Sequence, residues 1–161
     1  MYQQVVTSET FVDYTTDCKA YLRLLNNTVE DAIITRQLKV AIKQAEMKCN
    51  RSFTEKGITI KTTLQTFAML GVYDSTKAVT AKIDAVVTTG YAITGDVQPE
   101  IEFEGTGTIY ELSYTTKADM PEMVKEWVFQ TVNKFFNRNS PDATEPDDKL
   151  LEPYINLVWL P

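Results

Sequence analysis

Residues 118–139 constrain the fold most, because this stretch has a start signal, an apolar face and a stop. Asp119 can cap an N-terminus, and Pro121 suits the first helical turn, where its missing N–H costs nothing. The polar run that begins at Asn139 ends the pattern, so we predict a helix over residues 120–138. Its apolar side chains recur at spacings of three and four and share one face: Val124, Trp127, Val128, Thr131, Val132, Phe135 and Phe136. A helix with this face must pack against the rest of the chain.

Two further helices are predicted in the first third of the chain. Residues Thr15 to Asp17 can cap a short helix over residues 15–25, and Thr28 can cap a longer one over residues 28–49. The longer helix is predicted to bury one apolar face: Val29, Ile33, Ile34, Leu38, Ala41, Ile42, Ala45 and Cys49. Residues 1–14 have the character of an extended arm.

The middle of the chain changes to the period of β-structure. Strands are predicted at residues 58–62, at residues 79–89 with Ile83, Val86 and Val87 as apolar members, and at residues 91–94. Residues 101–103 and 109–115 flank Gly105-Thr106-Gly107, a spacing that predicts a β-hairpin.

Two features of this region bear on chemistry. The sequence Gly105-Thr106-Gly107 lies between two strands and not between a strand and a helix, so it does not match the dinucleotide-binding fingerprint. The side chains of Glu100, Glu102 and Glu104 alternate along a strand and therefore share one face. That face is interpreted as the solvated side of a sheet, and a site for a hard cation is the alternative.

The composition excludes several kinds of site. The 161 residues include no histidine, which rules out histidine-based triads and most zinc or haem ligation by this chain alone. Cys18 and Cys49 lack CxxC spacing and fall at apolar helix positions, so we interpret them as buried reduced thiols, with a disulfide or a nucleophile as alternatives. No catalytic residue, metal site or cofactor is predicted. The start lacks a signal peptide, and no membrane span is visible, which favours a cytosolic protein.

Charge is unevenly distributed. The net charge is −6, but residues 35–61 contain seven basic and two acidic side chains, a net +5 that leaves −11 elsewhere. Such an acidic chain argues against sequence-specific DNA binding. The basic face of the long helix, Arg36, Lys39 and Lys43, is a candidate contact between copies of the chain, and a solvated helix face is the alternative.

The end of the chain is a polar, acidic stretch over residues 140–149 followed by an apolar tail. The tail residues are Leu150, Leu151, Tyr154, Ile155, Leu157, Val158, Trp159 and Leu160. They fold back onto the core or dock on another chain, and the sequence leaves both open. We therefore predict a core domain over residues 1–139 and a linker with tail over residues 140–161. The predicted fold class is α+β: a bundle of about three helices packed with a small antiparallel β-sheet or hairpin insert at residues 57–116.

The order of four stretches resembles the head–tail connector (adaptor) proteins of tailed phages. These stretches are TTDCKAYLRL with TVEDAIITRQLKVAIKQAEMKCNRSF, then AKIDAVVTTG, then YELSYTTKADMPEMVKEWVFQTVNKFFNRN, and finally LLEPY. Together they span most of residues 15–154. Their order, with the join from a Tyr-rich strand through a loop to Pro121, carries the resemblance.

The resemblance implies a structural, non-enzymatic protein of the virion neck, assembled in the cytoplasm of a bacterial host. It implies a homo-oligomeric ring, dodecameric in the family, that lies under the portal and extends the DNA channel toward stopper and tail-completion proteins. Genomic DNA would pass through without sequence-specific binding, and no membrane is involved. Residues 150–160 would contact the portal, and the loop of Glu104, Gly105, Thr106 and Gly107 would face the tail. The alternative is a small cytosolic module whose C-terminal tail docks one partner.

Overall fold

The computed structural model describes residues 1–24, 28–96, 99–137 and 144–155. The chain divides into two compact units. The strand unit comprises Met1–Thr10 and Ser52–Asp119, and the helix unit comprises Phe11–Arg51 and Met120–Ile155. No helix in the described ranges is long and apolar enough to cross a membrane.

The helix unit contains three α-helices and two short 3₁₀ turns in its described part: α1 (Thr15–Tyr21), α2 (Asp31–Cys49), α3 (Glu122–Phe136), Asp148–Leu150 and Glu152–Tyr154. Helix α2 packs along α3. The buried face of α2 consists mainly of Ile34, Leu38, Ala41, Ile42, Ala45 and Cys49, and that of α3 of Val124, Trp127, Val128, Phe129, Thr131 and Val132. The periodicity therefore predicted both core faces, except that Val29 and Ile33 are exposed and the α3 residues Phe135 and Phe136 are only half-buried.

The predicted helix caps were wrong. Helix α2 follows Glu30 and α3 follows Pro121, and in both helices the residue at the N-cap makes no side-chain capping hydrogen bond. At the start of α1, the side chain that accepts a backbone hydrogen bond belongs to Asp13 and not to a residue of the predicted cap. Its Oδ1 accepts a hydrogen bond from the Thr15 backbone nitrogen at 2.9 Å. The predicted end of α2 is confirmed, because Asn50 adopts the left-handed conformation (φ 48°) that closes many helices.

The strand unit has eight strands in its described part: β1 (Tyr2–Thr10), β2 (Glu55–Thr62), β3 (Thr66–Ala68), β4 (Thr80–Ile83), β5 (Val86–Thr88), β6 (Tyr91–Thr94), β7 (Glu100–Phe103) and β8 (Tyr110–Thr115). They form a five-stranded sheet in the order β1-β2-β8-β4-β5 and a three-stranded sheet in the order β3-β7-β6. Every pairing is antiparallel.

Residues of both sheets share one core: Ile58, Ile60, Phe67, Met69, Ala81, Ile101, Phe103, Tyr110, Leu112 and Tyr114. Phe103 lies at its centre, with its ring centroid 5.1 Å from that of Tyr110 and 6.2 Å from that of Phe67. The Tyr114 hydroxyl accepts a hydrogen bond from the Leu70 backbone nitrogen at 2.8 Å. This cluster joins the two sheets.

Strand β1 lies at one edge of the five-stranded sheet and pairs with β2 through a bulge between Val6 and Ser8. Glycine at position 57 leaves room for the bulge, because a Cβ there would lie 2.5 Å from Thr7 Oγ1 and 2.7 Å from Ser8 Oγ. Apart from the half-buried Tyr2, the side chains of β1 are exposed. The backbone hydrogen bonds to β2 therefore hold β1 on the sheet. This explains why its sequence resembles that of an extended arm.

The predicted proportion of helices to strands was wrong. The protein is not a three-helix bundle with a small insert, since the strands form two sheets with a core of their own. The predicted hairpin around Gly105 was also wrong, because β7 pairs with β3 and β6 whereas β8 pairs with β2 and β4. Strands β7 and β8 lie in different sheets, and their side chains Phe103 and Tyr110 pack against each other in the shared core.

A second correction concerns residues 79–89, which form two strands and not one. Asp84 and Ala85 both have positive φ (49° and 69°), the conformation of a two-residue hairpin turn between β4 and β5. Val86 and Val87, predicted as apolar members of a single strand, are 69% and 65% exposed at the sheet edge.

Candidate interaction surfaces

The basic side chains predicted on α2 are exposed as expected. Lys39 and Lys43 each place Nζ 5.6 Å from the centroid of the Phe11 ring, so both ammonium groups interact with one aromatic side chain. Arg36 lies on the wall of a groove between α2 and the end of α3. The groove has a volume of about 620 Å³ and is lined by Glu30, Ile33, Arg36, Gln37, Val40, Phe135 and Phe136.

Beside these cations runs a line of apolar side chains that sequence reasoning missed. Ile33, Val40 and Met47 are 52%, 45% and 82% exposed and recur every seven residues. We name this line, together with Arg36 and Lys43, the α2 stripe. The signal was present in the sequence, because a seven-residue repeat marks one face of a helix.

The first residues of the apolar tail are held by the helix unit. Leu151 is 1% exposed, whereas Leu150, Tyr154 and Ile155 are half-buried. Leu157, Val158, Trp159 and Leu160 lie outside the described residues. The described start of the tail therefore folds back, and whether the remaining residues also fold back or contact a partner stays a prediction.

Asp148 fastens the 3₁₀ turn that precedes Leu151. Its Oδ2 accepts a hydrogen bond from Lys48 Nζ at 2.6 Å, and its Oδ1 accepts one from Trp127 Nε1 at 2.9 Å. These hydrogen bonds, the one from Lys48 first, lower the pKa of the Asp148 carboxyl. Glu145 is likewise paired with Lys134 at 2.6 Å. The described acidic residues before the tail thus include two that are tied to the helices.

The loop of Glu104, Gly105, Thr106 and Gly107 is anchored to the β4–β5 turn. The Asp84 carboxylate accepts hydrogen bonds from the backbone nitrogens of Thr108 (3.1 Å) and Ile109 (2.9 Å). A Cβ at Gly107 would collide with Ile83 Cγ2, so the loop requires glycine at that position. The loop is consequently a fixed feature of the surface.

Glu100 and Glu102 of β7, with Glu104 just after the strand, form an acidic surface. Glu100, Glu102 and Glu104 are exposed, while Ile101 and Phe103 between them are buried. The residues paired across the sheet with these glutamates are small: Ala68 and Thr94 beside Glu100, and Thr66 and Ala92 beside Glu102. Within residues 1–24, 28–96, 99–137 and 144–155, none of the three forms an ion pair. We name the part of this surface formed by Glu100 and Glu102 the glutamate face.

The remaining chemical candidates are buried or paired. Cys18 and Cys49 are buried free thiols, as predicted, and burial raises their pKa to about 12 and about 11. A thiol with so high a pKa is a poor nucleophile at neutral pH. Among the described residues no group of three metal-ligating side chains is close enough to hold an ion.

The sequence matches no family model and no curated protein. The fold, in contrast, is shared with solved chains of gene transfer agent (GTA) particles. One comes from the neck of an empty GTA particle computed with C6 symmetry (TM-score 0.72, 18% identity) and one from the virion of a native gene transfer agent (GTA) particle (TM-score 0.70, 20% identity). A third comes from the neck of a native GTA particle computed with C12 symmetry (TM-score 0.65, 19% identity). Each likeness covers 99% of this chain and 97% of the other chain, so the whole fold is shared.

Proposed function

We propose that this protein is a structural component of the neck of a phage-like particle. The observation that carries the proposal is the fold shared with GTA neck and virion chains over 99% of this chain. Two units of different structure, each with its own buried core, give the chain several separate surfaces for neighbours. The particle neck is therefore its proposed location.

Within the neck, the proposed role is that of a head–tail adaptor. Copies of the chain form a ring under the portal, extend the DNA channel and join the capsid to stopper or tail-completion proteins. The C6 and C12 symmetry of the neck particles that contain similar chains supports a ring. In this arrangement the tail beyond Ile155 contacts the portal, and the loop of residues 104–107 faces the tail proteins. The net charge of −6 suits a channel wall, because it discourages DNA from binding.

The proposed role is not enzymatic. The sequence has no histidine, and both thiols are buried with raised pKa values. Several carboxylates are occupied in ion pairs, including Asp148 with Lys48 and Glu111 with two lysines. These features support a protein that acts through its surfaces.

The test is assembly. The purified chain, alone and mixed with the portal protein of the same particle, is examined by multi-angle light scattering and negative-stain electron microscopy. Ring particles in either sample are the expected result. A protein that remains monomeric in both samples contradicts the proposal.

A further inference from the structure

The α2 stripe has the properties of a contact surface. Ile33, Val40 and Met47 are seven residues apart, close to two helical turns, so they form a line about 21 Å long. All three are large apolar side chains that solvent reaches in the folded chain. Scattered exposed apolar residues are ordinary, but a regular line on one helix indicates a surface that another protein covers.

The stripe also carries positive charge along one side. Arg36 and Lys43 are seven residues apart, which places their Cα atoms about 10 Å apart along the helix. Arg36 forms no ion pair with any residue in the described ranges. A partner that covers the stripe must therefore combine a surface that accepts apolar side chains with negative charge.

The glutamate face has this complementary chemistry. Alternate residues of a strand are about 7 Å apart, so Glu100 and Glu102 of β7 have a separation similar to the roughly 10 Å between the two cations. Their cross-strand neighbours Ala68 and Ala92 are small and leave a flat surface onto which apolar helix side chains can pack. Some other acidic groups are already paired within the chain, as Asp148 is with Lys48 and Glu145 with Lys134.

We propose that the α2 stripe of one copy binds the glutamate face of a neighbouring copy, a contact that rests on the proposed function as a ring component. The two surfaces belong to different units of the chain and differ from each other. A contact between two different surfaces leaves one of each free on every dimer, so further copies add until the ring closes. Arg36 and Lys43 face the glutamates, while Val40 and Met47 cover the alanines.

Charge reversal tests the contact. Arg36→Glu and Glu102→Arg are each expected to raise the concentration needed for half-assembly roughly tenfold or more, because like charges then face each other. In an equimolar mixture of the two variants every contact is complementary if the copies alternate, so rings should return. Lys149→Glu and Asp119→Arg, which reverse exposed charges outside both surfaces, are the matched controls. Light scattering gives the mass, and circular dichroism confirms that each variant is folded.

Disulfide cross-linking between introduced cysteines tests the contact even when assembly is weak. Val40→Cys together with Ala92→Cys in one chain should give a ladder of disulfide-linked copies under mild oxidation. The native thiols of Cys18 and Cys49 are buried and should not react. The control pair is Val40→Cys with Ser75→Cys, because Ser75 is exposed but lies outside the glutamate face. Non-reducing gel electrophoresis measures the ladder across a range of protein concentrations.

The outcomes separate this contact from the proposed function. Rings that ignore both charge reversals, or a control pair that gives an equal ladder, overturn the contact and leave the neck function standing. A chain that stays monomeric alone and gives no ladder also overturns the contact, while assembly on the portal would still support the neck function. Loss of rings in each single variant, recovery in the mixture and a ladder specific to Ala92→Cys support the contact.

Discussion

Two acidic surfaces of the strand unit are built in opposite ways. On the five-stranded sheet, Glu111 is paired across the strands with Lys61 and Lys82, whose Nζ atoms lie 2.8 Å and 2.7 Å from its carboxylate oxygens. On the three-stranded sheet, Glu102 is flanked by Thr66 and Ala92. The first surface neutralises its carboxylate within the chain, and the second presents its carboxylates outward. The residue that lies across the strand, and not the glutamate itself, therefore decides whether an acidic position is structural or available to a partner.

The largest loss of stability should come from truncating a side chain in the core that lies beneath both surfaces. Phe103→Ala is expected to reduce the free energy of unfolding by about 3–5 kcal/mol, because Phe103 is buried at the junction of the two sheets. Denaturant unfolding followed by circular dichroism measures the loss. The control Val87→Ala, at a mostly exposed position, should change stability by less than about 0.5 kcal/mol. Equal losses in the two variants would contradict the central position of Phe103.

The next largest loss of stability should distinguish Glu111 from Glu102. Glu111→Gln leaves Lys61 and Lys82 beside a neutral amide and is expected to cost about 1 kcal/mol, since this carboxylate is only 15% exposed and bonds both amines. Glu102→Gln removes no ion pair in the described part of the chain and should be neutral within about 0.5 kcal/mol. Thermal and denaturant unfolding of both variants at pH 7 make the measurement. A larger loss for Glu102→Gln would reverse the contrast.

The contribution of Glu111 to stability should depend on pH. The hydrogen bonds from Lys61 and then Lys82 lower the pKa of Glu111 from its ordinary value of 4.5. The stabilisation from Glu111 is therefore present above pH 4.5 and is lost as the pH falls through the lowered pKa. The stability difference between wild type and Glu111→Gln should be full at pH 7 and shrink toward zero in acid. Unfolding curves at a series of pH values test this, and a difference that grows in acid would contradict it.

The smallest effect on the folded chain should come from salt. Raising sodium chloride from 0.05 M to 0.5 M is expected to change the unfolding free energy by less than about 1 kcal/mol, because the exposed ion pairs contribute little. Association through Arg36 and the glutamate face should weaken over the same range, since that contact brings opposite charges together. Light scattering and thermal unfolding in matched buffers compare the two. Association that strengthens with salt would point to a contact made by apolar residues alone.

The sequence predicted elements better than their arrangement. The spacing of Ile34, Leu38 and Ile42 located the core face of α2, because a buried helix face repeats every three or four residues. Ile33 satisfies the same spacing and is exposed, since periodicity does not distinguish a core face from a docking face. Which apolar residues of α2 are buried depends on the side of the helix that packs against α3. That packing is set by tertiary structure and cannot be read from the local sequence.

Pairing of strands was the main failure. The short loop around Gly105 predicted a hairpin from local spacing, but the strands on either side of it lie in different sheets. Asp84, 20 residues or more from the backbone groups that it holds, determines the course of that loop. A side chain that accepts hydrogen bonds from so distant a segment leaves no local signal. The candidate surfaces show the same limit, since the glutamate alternation was visible but its small neighbours on β3 and β6 were not.

Burial of Leu151 limits how far the end of the chain can reach. Asp148 is bonded to Lys48 and Trp127, and Ile155 is the last residue of the chain that the structure describes. Trp159 follows four residues later, so even a fully extended backbone carries its Cα no more than about 14 Å from that of Ile155. Any neighbour that binds Trp159 must therefore lie close to Ile155.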